Sequence, residues 1–430
     1  LNEKTIMSGG IKGWIQQVTD RALDLLDFKS EGVLLDDLIA HCHAVLSRRG
    51  EATGLALAGS VVSSWYALDK ADHLEFFSRL IDEFGPDRDR LERAIDDYQA
   101  SSDELSIMNL HQAAEANRQE LFRRINSAPN GLQTLILMRE ELSKLLRDHP
   151  ELRPIDQDFV HLFTSWFNKG FLELEQINWQ TSATVLEKLI QYESVHEIQG
   201  WDDLRRRLAE DRFCFAYFHP VIPDEPLIFV EVALVQGVAD AIAPLLETTP
   251  VSPVDADTAV FYSINNCQPG LAGVSFGNLL IKQVVSVLQA EHPNLKNFVT
   301  LSPIPGLRQW LESDGQIFLG QFEEPADKQK LKPIVALYLT DGKGPKLRDP
   351  VARFHLGNGA SLERINVDAD LSARGLEQSF GFMVNYRYEL DLIVSNHEQL
   401  MESGQITTSR EVQQLLKKMA RSPLKELPHA

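Results

Sequence analysis

Phe261-Tyr-Ser-Ile-Asn-Asn-Cys-Gln-Pro-Gly-Leu-Ala-Gly-Val-Ser-Phe-Gly-Asn-Leu-Leu-Ile-Lys282 decides how this chain folds. It reads as a short apolar strand, a turn carrying Gly270, Gly273 and Gly277, and then an amphipathic helix with Leu280, Val284 and Val287 at i, i+4 and i+7. A second apolar strand, Phe298 to Leu301, follows and stops at Ser302-Pro303-Ile304-Pro305-Gly306. Strand, helix and strand in that order predict a parallel pair inside a mixed sheet. A glycine turn at a helix start gathers unpaired N–H groups and the positive end of the helix dipole, a natural seat for a phosphate or pyrophosphate. A serine at the end of the second strand then lies close to whatever those phosphates carry. The spacing fits neither a Walker loop, since no Gly-Lys-Ser/Thr follows, nor the G-x-G-x-x-G dinucleotide fingerprint. From spacing alone, an ordinary structural turn is the other reading.

Outward from this stretch, strand-like runs occur at Phe213–Phe218, Leu227–Leu234, Val260–Ile264 and Gly381–Tyr388, with Pro and Gly between them. Ahead of about Trp166 the pattern is helical instead. Leu74, Phe77, Ile81 and Phe84 repeat at helical spacing and stop at Gly85-Pro86. Ser101-x-x-Glu104 has the form of a capping box and predicts a helix running to Ile125. Pro129-Asn130-Gly131 separates that helix from another carrying Leu132, Leu135, Leu142 and Leu145, which Pro150 and Pro154 close. A chain of 430 residues exceeds one comfortable core. The fold class is therefore α+β: an all-helical bundle over residues 1–165, then a mixed-sheet α/β domain over 166–430.

Composition removes several functions. A net charge of −20 argues against a nucleic-acid surface, which needs clustered Lys and Arg. The same charge means that a phosphorylated ligand must be recruited by a local patch or a helix terminus, not by the field of the whole molecule. No apolar run approaches the roughly 18 residues that span a bilayer, so no membrane partner is expected. Leu1–Gly10 lacks the basic-then-apolar layout of a secretory signal. The three cysteines, Cys42, Cys214 and Cys267, form no C-x-x-C pair and are odd in number, which predicts a reducing, cytoplasmic location. Cys214 sits in an apolar run and reads as a small core residue. His41 and His43 are two apart on a helix and face different ways. With no H-E-x-x-H and no Cys/His cluster, no metal is expected.

Two residue positions could carry chemistry. Ser302 either starts a rigid Ser-Pro-x-Pro-Gly turn or, held extended by the following proline, aims its hydroxyl into a crevice at the strand end. His355 in Arg353-Phe-His-Leu-Gly-Asn-Gly-Ala360 is either a satisfied buried imidazole or a proton carrier, the role its ordinary pKa suits. His219 and His292, each before a proline, read as structural or exposed. The sequence alone leaves both readings of Ser302 and His355 open.

Five segments in order narrow the choice: His219-Pro-Val-Ile-Pro-Asp-Glu-Pro-Leu227, Gly270-Leu-Ala-Gly-Val-Ser-Phe-Gly277, Leu301-Ser-Pro-Ile-Pro-Gly306, Phe354-His-Leu-Gly-Asn-Gly-Ala360 and Asn385-Tyr-Arg-Tyr388. Together they resemble the malonyl-CoA decarboxylase family over about residues 165 to 390, and the helical first part agrees. The resemblance implies a GNAT-like catalytic domain that grips the pyrophosphate of CoA at the strand–loop–helix. It implies Ser302 and His355 as the catalytic pair. It makes Ala272, Gly273, Val274, Ser275, Phe276, Gly277 and Asn278 the CoA-contacting loop, with Ser263 and Tyr388 near the active site. Ser275 stands where some members carry Glu, so no charged role is assigned there. Leu427-Pro-His-Ala430 lacks the Ser-Lys-Leu address of some animal members.

The chemistry implied is loss of carbon dioxide from malonyl-CoA to give acetyl-CoA through a thioester enolate protonated by His355. The thioester itself is the electron sink, so neither a metal nor an organic cofactor is expected. Acyl transfer to an amine on the same scaffold is an alternative, as is thioester hydrolysis with Ser302 as nucleophile. The lack of a G-x-S-x-G elbow weakens the hydrolytic reading. The expected partners are an acyl-CoA substrate and further copies of this chain, associating through the helical domain.

Overall fold

The computed structural model describes residues 35–47, 51–247, 252–274, 277–313, 328–343 and 346–421. The chain divides into two compact units. One holds Leu1–Phe171 with the short returns His219–Pro223 and Gln268–Ser275; the other holds Leu172–Phe218, Asp224–Cys267 and Phe276–Ala430.

The first unit is helical: α1 Leu35–Ser47, α2 Glu51–Ala67, α3 His73–Glu83, α4 Arg88–Ala100, α5 Glu104–Ala114, α6 Asn117–Asn126, α7 Gly131–Leu145 and α8 Arg153–Trp166. The apolar period places Phe76, Phe77 and Leu80 of α3 in the core with Phe84, while Leu74 and Ile81 are half-buried. Phe122 of α6 stacks on Phe159 of α8 with ring centroids 4.3 Å apart. The single helix expected from Ser101 to Ile125 is instead two. Asp103, not Ser101, caps α5, its carboxylate accepting the Ser106 N–H at 2.8 Å. Glu115 and Ala116 are then extended, and α6 restarts because the N–H groups of Asn117 and Arg118 bond to the carbonyls of Gly85 and Phe84 at 3.2 and 2.9 Å. Those carbonyls are free because Pro86 stops the preceding turn. Pro150 and Pro154 also act differently from expectation. Pro150 begins a 3₁₀ turn and Pro154 lies in the first turn of α8, so both open structure where they were expected to close α7.

The second unit is built on a mixed sheet of β1 Glu173–Ile177, β2 Arg212–Phe218, β3 Ile228–Val235, β4 Thr258–Asn266, β5 Asn297–Thr300, β6 Ser302–Pro303, β9 Ser361–Asn366 and β10 Met383–Arg387. A separate pair, β7 Gly342–Lys343 and β8 Lys346–Leu347, stands apart from it. Strands β1 to β4 pair antiparallel in sequence order, and β4 pairs parallel with β5 across the helix α11, Gly277–Glu291. Leu280, Ile281, Val284, Val285 and Leu288 of α11 are buried, while Val287 is half-buried. Other helices, α9 (Ala183–Tyr192) and α10 (Trp201–Arg207), bury Leu186, Leu189 and Leu204 with Cys214, Ala216 and Phe229 of the sheet. This is the mixed sheet of the α+β fold expected from the sequence.

Two details of the sheet open the site. The parallel ladder joins only Thr258–Phe261 to Asn297–Thr300, after which β4 continues along β3 to Asn266 while the chain beyond β5 pairs with β10. The two parallel strands therefore splay. Moreover, β5 and β6 share one register on β10, with Val299 opposite Arg387 and Ser302 opposite Val384, so they form one strand interrupted at Leu301. Across the interruption side chains replace ladder bonds: the Tyr386 N–H donates to Thr300 Oγ1 at 3.1 Å, and Asn385 Nδ2 donates to the Thr300 carbonyl at 2.7 Å.

Candidate active site

The splay leaves a cavity of about 330 Å³ in the second unit. Its walls include Phe261, Ser263 and Asn266 from β4, Ser302 from β6, and Phe354 and His355 from a helix. That helix, α12 (Pro350–Gly357), starts where Asp349 accepts the N–H groups of Val351 and Ala352 at 3.0 and 2.8 Å. Pro350 supplies the preset φ of a first helical turn. At its other end, Gly359 has φ +84°, and a Cβ there would stand 2.1 Å from the Ile393 carbonyl. Glycine is thus required twice over, by conformation and by space. Between cap and glycine, His355 is turned inward and is only 2% exposed.

His355 and Ser302 are 53 residues apart in sequence, and their side chains meet: Nε2 lies 3.1 Å from Ser302 Oγ. On the other side of the ring, Nδ1 lies 2.9 Å from the Tyr388 hydroxyl. Tyr386 stacks on the imidazole at 4.7 Å. Ser302 donates to Thr300 Oγ1 at 2.9 Å. In that order Nε2–H donates to Ser302 and Nδ1 accepts from Tyr388; reversing every donor makes Ser302 donate to Nε2. Hydroxyls and ring thus form a line that transmits a proton in either sense. Burial pulls the His355 imidazole down to about 3, so it is neutral at pH 7. Burial likewise pushes the Tyr388 phenol well above its ordinary range, keeping it protonated.

Ser263 lines the same cavity, but its hydroxyl is committed to Glu193, donating to Oε2 at 2.7 Å. Glu193 also accepts from Asn265 Nδ2 at 2.7 Å and from the N–H groups of Val195 and His196 at 2.8 Å each. Its carboxylate fixes both Ser263 and the turn carrying Val195, another wall residue. Sequence reading passed over Glu193, Thr300 and Tyr386. The last two were findable by alternation: Thr300 shares a strand face with Ser302, and Tyr386 shares one with Tyr388. Nothing local marks Glu193.

The glycine turn belongs to the first unit. Pro269–Leu271 is a 3₁₀ turn, and the N–H groups of Leu271, Ala272 and Val274 donate within it at 2.9, 3.0 and 3.0 Å. It is therefore less open than an all-donor nest. Gly273, at φ +82°, is exposed, as is Ala272. Ser275 and Phe276 lie outside the described residues, and Gly277 and Asn278 open α11. Four other histidines singled out from the sequence have structural contacts: His219 Nδ1 accepts from the Val221 N–H at 3.2 Å, and His292 packs edge-on against Phe213. His41 Nδ1 lies 3.0 Å from Ser64 Oγ, whereas His43 meets Glu83 at 2.7 Å. Among the described residues no group of three His, Cys, Asp or Glu side chains is arranged to hold a metal.

Residues 170–321 and 321–426 match the family model of the malonyl-CoA decarboxylase C-terminal domain, and residues 84–167 match that of the N-terminal domain. The chain belongs to the malonyl-CoA decarboxylase family. It is 34% identical to the mitochondrial malonyl-CoA decarboxylase of Anser anser anser over 68% of each chain. To that of Rattus norvegicus it is 30% identical over 81% of this chain and 82% of the other. The crystal structure of malonyl-CoA decarboxylase from Rhodopseudomonas palustris superposes with a TM-score of 0.83 at 48% identity, covering 88% of this chain and 99% of that one. The Agrobacterium vitis enzyme gives 0.82 at 45% identity with the same coverage. Among the described residues no helix is long and apolar enough to cross a membrane.

Proposed function

We propose that this member of the family decarboxylates malonyl-CoA to acetyl-CoA and carbon dioxide at the Ser302–His355 cavity, without a metal or an organic cofactor. One observation carries the reading: a buried, neutral imidazole hydrogen-bonded to a strand-end hydroxyl, both facing one cavity. At about 330 Å³ the cavity is near the lower end of the roughly 300–1,000 Å³ of small-molecule pockets, a size suited to an acyl head.

Breaking the bond to the malonyl carboxylate releases carbon dioxide and leaves an electron pair on the alpha carbon. The thioester carbonyl accepts that pair as an enolate, which then takes one proton. Ser302 hydrogen-bonds the carboxylate and orients it out of the carbonyl plane. His355 supplies the proton. Its ring is neutral at rest, but a carboxylate entering the same cavity favours the imidazolium. One proton is thus taken up with the substrate and delivered to the alpha carbon, while Tyr388 holds the ring through Nδ1. Ala272 to Asn278 contact the CoA moiety through the turn and the start of α11.

The test is to incubate pure protein with malonyl-CoA and measure every product. Carbon dioxide and acetyl-CoA in equal amounts are expected. Free CoA with malonate would replace this reading by hydrolysis, and acetyl-CoA consumed only with an added amine would replace it by transfer. Three free, buried cysteines support a reducing compartment, here the cytoplasm. Ile95, Tyr98, Leu105, Ile107 and Met108 expose apolar surface on α4 and α5, which supports association of copies through the helical unit. Light scattering that gives a monomer at micromolar concentration contradicts the oligomer.

A further inference from the structure

Arg139 is a buried arginine in the first unit, outside the site described above, and it points at the glycine turn. It lies on α7, 5% exposed. Its Nη1 donates to the carbonyls of Gly270 and Ala272, each at 2.8 Å, and its Nε donates to Asp156 Oδ1 of α8 at 2.8 Å. One helical turn earlier on the same face, the Ile136 carbonyl lies so close that a Cβ on Gly270 would stand 2.0 Å from it. The helix therefore offers the turn a close resting place and, beside it, a forked cation fixed by a carboxylate.

The peptide plane converts this grip into an orientation. In a trans peptide the C=O of one residue and the N–H of the next point in opposite directions. Leu271 N–H, opposed to the Gly270 carbonyl, is occupied by Gln268 at 2.9 Å. Gly273 N–H is opposed to the Ala272 carbonyl and belongs to an exposed residue at φ +82°. Drawing the Ala272 carbonyl toward Arg139 aims the Gly273 N–H away from the helix. We infer that Arg139 is a positioning residue that presents the Gly273 N–H to a phosphate of the CoA pyrophosphate. This rests on the reading that Ala272 to Asn278 contact CoA.

The measurement compares malonyl-CoA with malonyl-pantetheine, which keeps the reacting head and lacks the nucleotide, as the ratio of their kcat/KM values. Arg139→Lys retains the charge but cannot hold two carbonyls and Asp156 at once. Its ratio should fall about tenfold, the equivalent of one charge-assisted hydrogen bond, through KM for malonyl-CoA and not kcat. Asp156→Asn, which frees the guanidinium without removing it, should lower the ratio about threefold and serves if Arg139→Lys does not fold. A ratio unchanged in either folded variant, or equal losses on both substrates, overturns the inference and leaves Arg139 a scaffold residue. If the unsubstituted enzyme itself uses both substrates equally well, the nucleotide is not gripped here; the CoA reading of the loop then fails first, and this inference with it.

Discussion

In the proposed reaction the working groups of the Ser302–His355 cavity are side chains, while those of the Pro269–Val274 turn are backbone. The first cluster is buried, joins residues 53 positions apart, and depends on rotamers fixed by Tyr386, Tyr388 and Thr300. The second is local, partly exposed, and closed by its own 3₁₀ bonds, with one arginine beneath it. The difference teaches where each should be sensitive. A side-chain site fails when its own residues change. A backbone site tolerates changes to its own exposed side chains and fails when its support or its close packing changes.

The sharpest break should come from His355→Gln, which keeps a polar group but removes the proton carrier: kcat should fall about 100- to 10,000-fold with the CoA product still bound, by stopped-flow or calorimetry. Retention of most of the turnover would remove His355 from the chemistry. Next, Gly270→Ala drives a Cβ toward the Ile136 carbonyl, only 2.0 Å away. The turn must lift, so KM should rise about tenfold and thermal stability should drop; an unchanged enzyme would show that the contact with α7 is dispensable.

A smaller effect separates the two regions by pH. His355 has its folded pKa depressed to about 3, below an unfolded value near 6.5. Its contribution to stability is therefore complete above about pH 6.5 and lost progressively as pH falls toward 3, because the unfolded chain then binds a proton that the folded one refuses. Melting curves should show the parent protein losing ground to His355→Gln between pH 7 and pH 5; parallel curves would contradict a neutral buried ring. The smallest effects are expected at the turn's surface and on metal removal. Ala272→Ser should alter kcat/KM less than about twofold, since the backbone and not the methyl is in use. Dialysis against EDTA should leave the rate unchanged, and a loss restored by a divalent cation would overturn the metal-free mechanism.

The parallel pair was legible because apolar strands flank an amphipathic helix, a pattern local to Phe261–Leu301. Edge strands were not. Glu173–Ile177 is mostly exposed and carries Glu173 and Glu175, and Ser361–Asn366 carries Glu363 and Arg364, so neither shows an apolar run. The break at Glu115-Ala116 was invisible because it is set by Phe84 and Gly85, some thirty residues earlier. For the site, sequence placed Ser302 at a strand end but offered no physical reason to join it to His355. Only the ordered resemblance to a family did so, because the meeting depends on β10 and the residue after it bringing Tyr386 and Tyr388 alongside β5 to the imidazole. Glu193 had no signal at all, since its four partners lie on a turn and a strand that only folding brings together.

The interruption at Leu301 limits how this chamber can vary. Sliding the β5–β6 strand by one residue along β10 would invert its faces, turning Ser302 out of the chamber and Thr300 away from its bond to Ser302 at a stroke. Descendants of this sequence that accept a bulkier or smaller acyl group are therefore confined to trimming or filling the walls, at Val195, Ile228 or Val351, around a hydroxyl whose address cannot drift.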